Sequence, residues 1–208
     1  MRVKEGALTF TTEARRRQIV TAAITTIAEL GLAKASFARI AERAGLSSTR
    51  MISYHFADRE DLLEAVVTQV FEVAGDYMAP YVLSQERPTD QLRAFIESTT
   101  AWFAEYRDHV IAVREIWFSL RGPDGTLRYG MAHHEPGIVV LSEIFRNGQR
   151  SGEFRDFDPR VMSVTLRHAL DGLSGQVAAE PELDIEVYTR ELVALFTAAT
   201  VAEPGART

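Results

Sequence analysis

The 208-residue chain has no cysteine, which removes disulfide staples, thiolate metal sites and cysteine nucleophiles together and fits a reducing compartment. It also lacks any stretch of about 18 apolar residues able to span a bilayer, and its opening, MRVKEGALTF, is too polar for a signal-peptide core. A cytoplasmic protein without a membrane partner is the expectation. Strand-like alternation, internal repeats and a long Ser/Gly linker are missing as well. So are HExxH, a Gly-rich phosphate loop and a GxSxG elbow, which argues against an enzyme and implies no cofactor.

What is present is ordinary in amount and informative in arrangement. At 46% hydrophobic and 25% charged residues, the chain can bury a core. Its net charge of −6 speaks against a nucleic-acid partner until the charges are located. Residues 1–60 hold ten Lys/Arg against six Asp/Glu, whereas residues 61–208 hold thirteen against twenty-three. A basic head precedes an acidic body. Screening confines attraction to within about 8 Å, so the head's own charge is what a phosphate backbone would meet.

Apolar spacing predicts helices almost throughout. The first spans about 12–30, with Ile19, Ala23, Ile27 and Leu30 on one stripe, Arg15, Arg16 and Arg17 near its start and Gly31 as its stop. Ser36 caps a short helix carrying Phe37, Ile40, Ala41 and Ala44, and Gly45 ends it. Ser47 and Ser48 are placed to cap a third that buries Ile52 and Phe56. Asp58 is placed to cap a fourth, running to about Met78. Beyond Pro80, further helices are expected near 88–106, 108–120, 135–150, 158–178 and 184–200, for eight or nine in all.

A short helix, a tight turn with glycine and a second short helix with polar outward residues make a helix-turn-helix, whose second helix fits the roughly 12 Å major groove. SFARIAERAGLSSTRMISYHF has that form. On a wheel, Ser48, Ile52 and Phe56 turn inward, while Arg50, Met51, Ser53 and Tyr54 turn outward. The ordered series ELGLAKASFARIA, AERAGLSS, ISYHF and ADREDLLEAVV resembles the TetR family of transcriptional regulators over the first 65 or so residues. The interval from Gly45 to Phe56 is one residue longer than that family's commonest spacing, which bears on the register of base-reading positions.

The resemblance implies roles. Aligned from the YHF end, Thr49, Arg50, Met51 and Tyr54 face base edges, with Arg50 suited to bidentate contact with guanine and Met51 to a thymine methyl. Ser53, His55 and Arg59 fall on phosphate-holding positions, Arg59 standing where lysine is usual. Ser36 joins them through free N–H groups at a helix start, and Ser48 is counted in the same DNA-contacting set. Arg39 and Arg43 add to the field, and Arg2 and Lys4 on an N-terminal arm can reach a minor groove.

The expected architecture is all-α, with a three-helix helix-turn-helix DNA-binding domain at 12–57 and a helical effector-binding and dimerisation domain at 58–208. Candidate effector contacts are Trp102, Phe103, Tyr106, His109, Arg114, Trp117, Phe118, Met131, His134, Phe145 and His168, since aromatic walls with a few polar groups make a cavity between helices. Each also fits plain core. His133, His134 and Glu135 invite a metal reading. Neighbouring helical side chains diverge by about 100°, however, so no metal is expected. Asp171 near His168 reads as a helical ion pair or pocket lining. The last two helices carry wide apolar faces, Val161, Val164, Thr165, His168 and Leu173 on one and Tyr188, Leu192, Leu195 and Phe196 on the other, which the resemblance assigns to a four-helix homodimer interface. The implied function is a repressor released from a palindromic double-stranded operator by a small-molecule effector, with the long fourth helix as the lever. A constitutive DNA binder and an all-helical enzyme or carrier are the competing readings.

Overall fold

The computed structural model describes residues 2–202, and within them the side chains of 12–130 and 133–202. Among these residues nine α-helices follow one another: α1 (Arg2–Leu30), α2 (Phe37–Arg43), α3 (Arg50–His55), α4 (Arg59–Leu83), α5 (Pro88–Glu105), α6 (Arg107–Ser119), α7 (Glu135–Ser151), α8 (Pro159–Ala179) and α9 (Ile185–Thr200). Short 3-10 turns occupy Leu32–Lys34 and Met131–His134. The all-α expectation holds, and α5 to α9 lie within a residue or so of the spans their spacing predicts.

Two ends differ. The first helix starts at Arg2, well before Thr12, so the segment expected as an arm continues α1; the side chains of Arg2 and Lys4 lie outside the described residues. Likewise α4 does not stop near Met78 but runs through Pro80 to Leu83. Proline deletes one intrahelical hydrogen bond, a cost that the rest of a 25-residue helix can absorb.

Side-chain caps stand at the starts of α4, α8 and α9. Oδ1 of Asp58 accepts from Asp61 N at 2.9 Å, while Ala57 N donates to Asp61 Oδ2 at 2.8 Å. The Asp158 carboxylate caps α8 through Arg160 N and Val161 N, and Asp184 caps α9 through Val187 N.

Two compact units emerge, and they cut across the 57/58 division. Among the described residues the first comprises 2–72 and 108–128, thus taking in the start of α4 and nearly all of α6; the second comprises 73–107 and 129–202. In the first, Ile19, Ile24, Ile27, Ile52, Phe56, Leu62 and Ile116 are fully buried. Burying each such side chain contributes about 1.5–3 kcal/mol before entropy is counted.

In the second unit, α5 packs on α7, α8 and α9, and α7 packs on α8, around Leu92, Ile96, Ile138, Leu141 and Phe145. Two hydroxyl pairs lie in this core: Ser142 Oγ is 3.0 Å from Ser163 Oγ, and Thr189 Oγ1 is 2.8 Å from Thr100 Oγ1. Gly148 is required by contact, because a Cβ there would stand 2.0 Å from the Phe154 ring. Glu153 accepts from the N–H and hydroxyl of Thr89, tying the α7–α8 connection to the start of α5.

The wide faces of α8 and α9 divide in a way that corrects the expected interface. Leu173 and Phe196 are buried in their own subunit's core, and Val164, Tyr188 and Leu192 are half-buried there. Val161 and Leu195 are 64% and 60% exposed, and Thr165, His168 and Val187 are exposed beside them. The helices are thus apolar on two sides, one of them turned to solvent.

Candidate nucleic-acid interface

The turn from α2 to α3 is built by glycine. Gly45 sits at φ +64, and the chain reverses there with Gly45 N donating to Glu42 O at 3.0 Å and Leu46 N to Ala41 O at 2.8 Å. Ser36 caps α2 through Arg39 N at 3.4 Å. For α3 the cap position is Thr49, without a side-chain bond, so neither Ser47 nor Ser48 serves as expected. Ser48 is also exposed, which corrects its inward placement: the chain is not yet helical there, and the wheel does not apply.

Once helical, α3 shows the expected faces. Ile52 and Phe56 are 0% and 1% exposed, while Arg50, Ser53 and Tyr54 are exposed, Tyr54 by 78%. Met51 and His55 are half-buried and Thr49 is exposed. Arg16, given no special role by spacing, fastens this helix: it donates to the carbonyl of His55, lies 4.2 Å from the centre of the Phe56 ring and sits 3.9 Å from Asp61. Gln18 adds a bond to Ala44 O at 2.6 Å. Thus α1 holds the recognition helix by its end and leaves its outer face open.

Electrostatics sort the basic residues. Arg43 forms a two-pronged pair with Glu29, so its charge is largely answered within the protein. Arg59 donates to the carbonyl of Leu32 but stays exposed, and its guanidinium keeps further N–H groups. His55 is lowered below its ordinary 6.5 by desolvation first and then by Arg16 and Arg15.

The candidate effector residues fall in both units. In the first, His109 is half-buried and lowered in pKa by burial, Arg114 lies 5.1 Å from the Phe118 ring, Trp117 lies 5.9 Å from Phe71, and Phe118 is 59% exposed. In the second, Trp102, Phe103 and Phe145 are buried, Phe145 against Phe154 and Phe157; Tyr106 and His134 are half-buried and His168 is exposed. Met131's side chain lies outside the described residues. His134 faces Asp171 at 3.6 Å, but Asp171 is already gripped by Arg167. Burial and Arg167 therefore win over Asp171, and His134 is pushed down to about 4, neutral at pH 7. No group of three or more His, Cys, Asp or Glu able to hold a metal occurs among the described residues. Glu135 is engaged with Arg160.

One open groove of about 800 Å³ lies in the second unit, lined by Tyr77, Glu97, Thr100, Ala101, Ala104, Glu105, Ile185, Glu186, Thr189, Arg190 and Val193. None of the described candidate residues lines it. Behind Tyr77, however, stand two of them: Tyr106 at 5.7 Å edge-on, and Trp102 stacked on Tyr106 at 5.8 Å. Tyr77 is pushed up to about 12 by desolvation and by the Glu105 carboxylate.

Together these features define a helix-turn-helix DNA-binding regulator: a short helix anchored from beneath, its outer face bearing arginine, hydroxyls and tyrosine, in the basic part of the chain. The profile of the "Bacterial regulatory proteins, tetR family" matches residues 19–66, which hold α2 and α3 entire. The "HTH-type transcriptional regulator BetI" of Stenotrophomonas maltophilia (strain R551-3) is 38% identical over 166 residues, covering 78% of this chain and 77% of the relative. Its namesake in Yersinia pestis (strain Pestoides F) is 36% identical over 186 residues, 85% of each. Among solved structures, a putative TetR-family regulator from Rhodococcus sp. is similar at TM-score 0.75 and 25% identity, covering 90% of this chain and 98% of that one. A putative transcriptional regulator from Saccharomonospora viridis, in complex with choline, shares the fold at TM-score 0.78 and 21% identity, over 92% and 100%. The chain belongs to the TetR family, and its function is DNA-binding transcriptional regulation.

Proposed function

We propose that this protein is a cytoplasmic homodimeric repressor that reads a palindromic operator with α3 and is released by a small effector. The exposed outer face of α3 carries the reading: Arg50, Ser53 and Tyr54 project from a helix that Ile52 and Phe56 lock beneath. Arg50, Thr49, Met51 and Tyr54 read bases, while Ser36, Ser48, Ser53, His55 and Arg59 hold the backbone. Residues 12–57 bind DNA, and residues 58–208 take the effector and pair the subunits. The solvent-facing stripe of Val161, Thr165 and His168 on α8 with Val187 and Leu195 on α9 supports pairing, because two-fold symmetry places two recognition helices about 34 Å apart on one face of the duplex.

The effector is proposed to be a small organic cation. The S. viridis regulator binds choline, and here three carboxylates, Glu97, Glu105 and Glu186, surround an aromatic-backed groove with one arginine opposing them. Carboxylates and ring faces both favour a desolvated cation. Since α4 is continuous from the first unit into the second, it is the proposed lever. Selection of bound duplexes from a random pool, followed by gel shift with and without choline, tests the whole reading. A recovered palindrome that millimolar choline displaces supports it. Failure to enrich any duplex at low salt defeats the operator reading, and enrichment indifferent to choline defeats that choice of effector.

A further inference from the structure

The turn between α1 and α2 is held from two sides at one residue. Gly31, at φ +77, breaks α1, and Leu32 follows it into the 3-10 turn that leads through Ser36 to α2. The Leu32 N–H donates to Glu115 Oε2 on α6 at 3.1 Å, and the Leu32 carbonyl accepts from Arg59 at the start of α4. The segment after α6 is fastened as well: Arg128 donates to Glu60 at 2.6 Å and pairs with Glu64, both in the first turns of α4. All of these residues belong to the first compact unit, in which α6 sits with the helix-turn-helix despite 83 residues separating Glu115 from Leu32.

We propose that Glu115 is a positioning residue for operator binding, fixing the entry to the helix-turn-helix against α6 through the Leu32 N–H. It does not touch DNA. Without it, the amide just past a helix end turns to water, and the turn gains freedom that specific docking must freeze out. Base contacts depend on register, whereas phosphate attraction tolerates misalignment. The loss therefore falls on the specific complex and spares the non-specific one. The proposal rests on the DNA-binding function and on no particular effector.

The test uses the full-length protein, a duplex enriched by the wild type from a random pool, and a scrambled duplex of the same length. E115A is expected to weaken the enriched duplex about tenfold and to leave the scrambled duplex within about twofold. E115Q keeps a carbonyl acceptor at the same reach and is expected to recover most of the loss. In the absence of DNA, the Leu32 amide is expected to exchange hydrogen at least about tenfold faster in E115A than in the wild type. Wild-type affinity in E115A, equal weakness in E115A and E115Q, or unchanged Leu32 exchange would each overturn the proposal. Should E115A not fold, E115D replaces it: the charge stays but the carboxylate falls a methylene short. Wild-type affinity and exchange in E115D then count against the role. A wild type that enriches no duplex condemns the DNA-binding function, while the exchange comparison still judges the contact.

Discussion

Single side chains set the chemistry within each unit. Arg50 projects from α3 with its fork unobstructed, so Arg50→Ala should cost about 1–3 kcal/mol on an enriched operator and little on random sequence. Competition gel shifts measure both, and equal losses on the two duplexes would remove its base-reading role. His134 makes a different prediction. Its folded pKa of about 4 lies below the ordinary 6.5, so between these values the unfolded chain holds a proton that the folded one does not. The stabilising contribution is therefore complete above pH 6.5 and fades as pH falls towards 4, by roughly a few kcal/mol. Urea titrations of His134→Gln should show a shallower decline across that window; an unchanged profile would mean that the ring titrates normally.

At the scale of elements, the two shortest helices owe their place to others. Six residues form no stable helix alone, and α3 persists because Ile52 and Phe56 are buried and Arg16 of α1 holds its last carbonyl. By contrast α8 and α9 are long, well capped and oversupplied with apolar surface. Exposing Val161 and Leu195 costs a monomer solubility and gains it nothing, which is why a second copy is expected on that face. Leu195→Asp should therefore shift sedimentation from dimer towards monomer at micromolar concentration while leaving helix content intact. A dimer of wild-type strength would move the interface elsewhere. Leu173→Asp, in the subunit's own core, should instead unfold the chain.

Over the whole molecule the charge division governs how DNA is met. The total of −6 repels a polyanion at a distance, but salt screens the acidic body more effectively than the contact itself. Operator affinity should fall steeply with salt, and removing one phosphate-holding arginine should flatten that slope by about one counterion. Arg59→Ala is the variant for this measurement, and an unaltered slope would assign the Arg59 guanidinium to its Leu32 contact alone.

Local chemistry made much of this readable from residues alone. Helix spacing, Ser36 and Asp58 as caps, Gly31 and Gly45 as stops, and the buried pair Ile52 and Phe56 all act within a few residues of chain, so their pattern is written in order. Tertiary packing alone decided which faces of α8 and α9 stay outside, that Arg43 is answered by Glu29, that Arg16 anchors α3, and that α6 meets the turn at Leu32. It also decided the groove, whose lining is gathered from α4, α5 and α9. Those contacts join residues from 14 to 83 positions apart, and an apolar stripe specifies that a surface is buried without specifying what covers it.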